Sequence, residues 1–126
     1  MANFYEKEIG SVNYDNLFAG INVPVLTKSV TLKSGQGVLK RGTVLGIVTD
    51  TGLAVPVDSS NTDGSEKADC ILTDNIDTGD EDIVITAYSS GLFNRNALIF
   101  GGTDKAEKHE TRLRELGIFL KDNIPY

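Results

Sequence analysis

From Val23 onward the chain is patterned for strands. The run Val23-Pro24-Val25-Leu26-Thr27-Lys28-Ser29-Val30-Thr31-Leu32 is rich in β-branched residues, which suit a pleated surface, and it ends at the turn Ser34-Gly35-Gln36-Gly37. Pro24 has no backbone N–H to give to a ladder, so the start of this strand is expected at a sheet edge, where a second chain can add by main-chain hydrogen bonding. A second strand is expected over Gly42-Thr43-Val44-Leu45-Gly46-Ile47-Val48-Thr49. The turn Asp50-Thr51-Gly52 returns it as Leu53-Ala54-Val55-Pro56-Val57, a hairpin, and Gly46 inside the first arm marks a bulge or bend of the kind a small β-roll needs.

The polar stretch Asp58 to Ser65 reads as a loop. Ala68-Asp69-Cys70-Ile71-Leu72-Thr73 reads as a short buried strand, and Ile83-Val84-Ile85-Thr86-Ala87-Tyr88 carries too many β-branched residues to favour a helix. One helix is expected, over about 104–116. Asp104 stands as its N-cap with Glu107 three residues on, Glu110 and Arg114 are spaced for an i,i+4 pair, and Gly117 followed by Ile118 fits a left-handed C-cap. Ile118-Phe119-Leu120 then forms a last short strand.

Residues 1–22 differ in texture. Phe4, Tyr5, Ile9, Tyr14, Leu17, Phe18 and Ile21 are scattered among Gly, Asn and acids with neither helical nor strand period. Two uses are open to them: packing on the body, or ordering on a partner as an arm. The expected organisation is an N-terminal arm, 1–22, followed by one β-rich domain, 23–126. The candidate contact residues for a protein partner are Phe4, Tyr5, Ile9, Tyr14, Leu17 and Phe18 in the arm, with Val23, Val25, Thr27 and Val30 along the edge strand.

Composition narrows the classes of function. A chain of 126 residues holds one domain with a real core. Twelve Lys and Arg against eighteen Asp and Glu give a formal charge of −6, which repels phosphate backbones, so nucleic acid is not expected as a partner. No run approaches the roughly 18–20 consecutive apolar residues of a membrane helix, and no apolar core of secretory length follows Met1, so no membrane partner and folding at the site of synthesis are expected. A single cysteine, Cys70, precludes an internal disulfide.

Catalytic inventory is thin. His109 is the only histidine and lies between Lys108 and Glu110, where a solvated helix face is expected; Cys70 in an apolar strand is expected to be inert. The acids Asp74, Asp77, Asp80, Glu81 and Asp82 invite a calcium site, yet their spacing does not reproduce an EF-hand and their composition is that of a solvated turn. No glycine pattern fits a phosphate-binding loop, so no metal and no cofactor are expected. Paired carboxylates are the only route left to an enzyme, and nothing in their spacing supports one. The expectation is a structural interaction protein, with a small β-barrel ligand- or carbohydrate-binding module as the alternative, which the absence of Trp disfavours.

The order of segments is more specific than any single motif. Gly35-Gln36-Gly37-Val38-Leu39-Lys40-Arg41-Gly42-Thr43-Val44-Leu45-Gly46, then Asp63-Gly64-Ser65 leading to Ala68-Asp69-Cys70-Ile71-Leu72, then Ser90-Gly91-Leu92-Phe93-Asn94 with Ala97-Leu98, resembles the lambda-type bacteriophage head decoration (capsid cement) proteins over roughly residues 25–120. The resemblance implies a mainly β fold of the β-clip type with a small helical element. It also implies a homotrimer on the outer surface of the expanded phage head, made in the bacterial host cytoplasm, which binds the major capsid protein and holds the coat lattice against packaged DNA. In such proteins the N-terminal segment orders against the coat by strand pairing, in keeping with the reading of residues 1–32.

Overall fold

The computed structural model describes residues 17–20 and 23–122. It is mainly β with one C-terminal helix, as expected. The strands are β1 Thr27–Leu32, β2 Val38–Leu39, β3 Val44–Ile47, β4 Leu53–Pro56, β5 Ala68–Leu72, β6 Ile76–Asp77, β7 Ile83–Tyr88, β8 Gly91–Asn94 and β9 Ile118–Lys121, with the helix α1 at Ala106–Leu116. Five strands close a small barrel in the order β1-β4-β3-β5-β7. Strand β1 pairs antiparallel with β7 along its whole length but parallel with β4 only at Thr31 and Leu32. Closure of the barrel therefore rests on two residues of β1.

The hairpin of β3 and β4 forms where the sequence places it, with Leu45 opposite Pro56 and Ile47 opposite Ala54. Gly46 is a bulge: the register of β3 against β5 shifts between Leu45 and Gly46. The reason is space, because a Cβ at Gly46 would run into the carbonyl oxygens of Ser65 and Lys67.

Two apolar cores share this frame. Leu32, Leu45, Ala54, Cys70, Leu72 and Ala87 fill the barrel. Outside it, Leu17, Val44, Val57, Ala68, Ile71, Phe93, Leu98, Leu113 and Ile118 form a second core beneath α1 and the parallel pair β8–β9. Val44 and Leu45 on β3, and Cys70 and Ile71 on β5, send successive side chains into different cores. That double-sided burial explains why these strands read as continuous apolar runs without alternation. Burial of Cys70, reinforced by the neighbouring Asp69 carboxylate, pushes its thiol up to about 12 from an ordinary 9.0.

Two boundaries differ from expectation. Strand β1 begins at Thr27 and not at Val23. Ahead of it, Ser90 substitutes for a strand partner: the Leu26 N–H donates to Ser90 Oγ at 3.1 Å, and that hydroxyl donates to the Pro24 carbonyl at 2.8 Å. The helix begins at Ala106 with Lys105 as its N-cap and no side-chain capping bond, so the expected Asp104–Glu107 capping box does not form. Starting two residues late puts Asp104 outside the cap position, and its carboxylate is engaged elsewhere, as described below. The C-terminus follows expectation, with Gly117 left-handed at φ 93° and its N–H on the Arg114 and Leu113 carbonyls.

Two outcomes test this packing. Gly46→Ala is expected to destabilise the fold by about 1–3 kcal/mol, read from the urea midpoint, because backbone carbonyls must move to admit the methyl group. Cys70 is expected to resist thiol reagents in the native protein at pH 8 and to react within minutes once the chain is unfolded in urea.

Candidate functional site

Of the ten candidate contact residues, Phe4, Tyr5, Ile9 and Tyr14 lie outside the described residues, as does Ile21. Leu17 and Phe18 belong to the body rather than to an arm. Leu17 is buried and contributes to the second core. Asn94 N–H donates to the Leu17 carbonyl at 2.7 Å and Ala19 N–H to the Leu92 carbonyl at 3.0 Å, so this stretch lies antiparallel along β8 through a single bridge between Phe18 and Phe93. The Phe18 ring stacks on Phe93 with centroids 4.9 Å apart and meets the Tyr88 ring edge-on at 5.0 Å. Above them the Arg41 guanidinium lies 5.9 Å from the Phe18 centroid and 5.6 Å from that of Tyr88, while its Nη1 donates to the Thr73 carbonyl and the Tyr88 hydroxyl, each at 2.8 Å.

The edge-strand candidates have a different setting. Val25 and Thr27 are exposed, while Val23 and Val30 are half-buried. Leu26, not among the candidates, is 60% exposed. Beyond the Thr31 and Leu32 pairs, the margin of β1 that faces β4 has no strand beside it among the described residues from Thr27 to Val30. That margin can accept an added strand. Lys28 within it is tied to Asp69 by a salt bridge across the barrel surface. At the far end of the same ribbon β7 exposes Ile83 and Val84, opposite Leu32 and Thr31.

A second apolar surface had no signature in the sequence. Val38 and Ile99, both exposed, line a hollow with Leu39, Pro56 and Phe100. The pairing of β2 with β6 and the bridge between Thr43 and Ile99 bring them together, and both are too short to leave a pattern.

His109 overturns its expectation: it is buried, not a solvated member of the helix face. Its ring stacks on Phe100 with centroids 5.4 Å apart, and its Nε2 donates to Asp104 Oδ2 at 2.7 Å. The same carboxylate accepts the Ser59 N–H at 2.6 Å and the Ser59 hydroxyl at 2.7 Å. Burial opposes its charge, but the Ser59 and His109 hydrogen bonds outweigh that and hold it at about 2, below an ordinary 3.8. Serine, aspartate and histidine are all present, yet the order is wrong for a nucleophile: the carboxylate stands between hydroxyl and imidazole, so the histidine cannot take the serine proton. The arrangement locks the 58–60 loop to α1.

The acids after β5 work within turns. Asp74 accepts from Asn75 N–H at 3.0 Å, Asp77 from Gly79 N–H at 3.0 Å and Asp82 from Ser34 N–H at 2.9 Å. Among the described residues no three of His, Cys, Asp and Glu converge on a point where a metal could sit.

Among curated proteins none matches the chain. The family model of the bacteriophage lambda head decoration protein D matches residues 7–119, which takes in the barrel, the strip along β8, the helix and the first half of β9. This match spans nearly the whole chain, and the chain therefore belongs to the lambda head decoration protein D family, structural components of the phage head.

Proposed function

We propose that the protein is a cement unit that binds the outside of the expanded phage head as a homotrimer and holds neighbouring major capsid protein subunits together against the pressure of packaged DNA. The observation that carries this reading is the family match over residues 7–119. The margin of β1 supports it physically, because on its β4 side four residues have no strand beside them among the described residues and, with exposed Val25 and Leu26, offer main-chain bonds and apolar contact to an extended coat segment.

On this reading the coat contacts come from Phe4, Tyr5, Ile9 and Tyr14 together with Val23, Val25, Thr27 and Val30. Leu17 and Phe18 do not contribute, since both are already spent in the second core. Cyclic symmetry makes the contacts between copies heterologous, one patch meeting a different patch on the next copy. Three weak coat contacts held in one trimer then act together, and the effective concentration of the second and third exceeds what each attains alone. No titrating group or cofactor enters this function.

Two measurements test it. Val25→Asp is expected to leave the melting temperature within about 2 °C, as for an exposed substitution. In co-sedimentation it is expected to lower affinity for expanded heads of the phage that encodes the chain at least tenfold, about 1.4 kcal/mol; unchanged binding removes β1 from the interface. Sedimentation equilibrium is expected to show a trimer or a monomer–trimer equilibrium, and failure of the unaltered protein to bind expanded heads ends the reading altogether.

A further inference from the structure

Helix α1 rests on few buried side chains for its length, with polar ties outside them from Arg95 to Glu110 and from Arg112 Nε to the Ala68 carbonyl. Of its eleven residues only Ala106, His109 and Leu113 are buried, with Leu116 half-buried against the second core. One of three anchoring side chains is therefore a polar ring, and it is held by Asp104. The carboxylate joins parts of the chain that are far apart in sequence: Ser59, forty-five residues earlier, and His109, five residues later.

Three donors converge on the two oxygens of Asp104: Ser59 N–H, Ser59 O–H and His109 Nε2–H. A carboxylate only accepts, so the hydrogen in the contact with His109 sits on Nε2. The ionised carboxyl leaves all three hydrogen bonds in place. Protonating the carboxyl does not, because the new hydrogen would point among donors and find no acceptor. Around the cluster lie Arg95, Lys105 and Glu107 on the side of the hollow that opens to the start of α1. Asp58, Glu66, Lys67, Lys108, Arg112 and Glu115 lie toward the loop side. These charges are of both signs, and among the described residues none of them hydrogen-bonds to Asp104 through its side chain.

We propose that Ser59, Asp104 and His109 form a one-sided acid latch that holds α1 and the 58–60 loop on the barrel at neutral and alkaline pH and releases them, with the barrel intact, when the carboxyl is protonated. The division of the molecule into two cores allows this, since α1 contributes to the outer core and none of its residues to the barrel interior. The direction follows from the depressed carboxyl: its contribution is complete above the unfolded value near 3.8 and is lost as the pH falls towards about 2. Release of α1 would uncover the apolar ground shared by Phe93 and Leu98, next to the seat of Phe18.

The test is amide hydrogen exchange, as protection factors of α1 and of β7 in the full chain between pH 7 and pH 2. In the unaltered protein α1 is expected to lose protection at least tenfold on acidification while β7 keeps its own. Asp104→Asn is expected to show the weakened α1 already at pH 6, with no further dependence on pH. Ser59→Ala, which removes one donor and leaves the rest of the fold in place, is expected to move the opening to higher pH. Joint loss of α1 and β7 protection in the unaltered protein overturns the proposal, and so does a Ser59→Ala transition that coincides with the unaltered one, whether or not Asp104→Asn folds.

Discussion

Strands β3 and β5 are buried on both faces, and the rest of the architecture is built around that fact. Leu45, Cys70 and Leu72 point into the barrel, while Val44, Ala68 and Ile71 point away from it into a second apolar layer. A barrel of this size has no room for more than a few side chains, so it cannot by itself bury enough surface to stabilise a domain. The outward faces of β3 and β5 supply the shortfall, and α1, β8, β9 and the Leu17–Phe18 stretch all dock there. Gly46 belongs to the same constraint: the loop that crosses β3 passes so near that no side chain fits between them.

That arrangement explains which parts of the fold the sequence announces. Strand β7 is legible because Ile83 to Tyr88 is β-branched along most of its length, the hairpin because Asp50-Thr51-Gly52 punctuates it, and the helix end because Gly117 can only be a left-handed cap in that context. Pairings decided by distant contacts leave no such trace. The two-residue ladder of β2 and β6 is shorter than any period, and β8 lies parallel to β9 only because α1 carries the chain back across the second core. Leu17 and Phe18 read as arm because their partners, Phe93, Tyr88 and Arg41, sit far along the chain.

The site was legible to the same degree. Composition made an enzyme unexpected and suggested protein partners, and the open margin of the strand after Pro24 could be reasoned from one missing N–H. Exposure of Val38 and Ile99 in a shared hollow could not, since Val38 sits beside Leu39 and Ile99 between Leu98 and Phe100, and such short apolar runs do not say which member faces outward. His109 misled for a physical reason. Flanking Lys108 and Glu110 describe two neighbouring directions of a helix, whereas the direction of His109 itself is set by Asp104, Ser59 and Phe100.

The bridge between Phe18 and Phe93 also bears on when the molecule can finish folding. Phe18 waits for Phe93, β1 closes the barrel against β7, and the second core also needs Leu113 and Ile118, so that core is complete only when nearly all of the chain has emerged from the ribosome. Contacts of such long sequence separation make for slow, late closure. Through most of synthesis the Phe18 ring therefore has no place to settle, and speed of completion becomes a constraint on the sequence beside final stability.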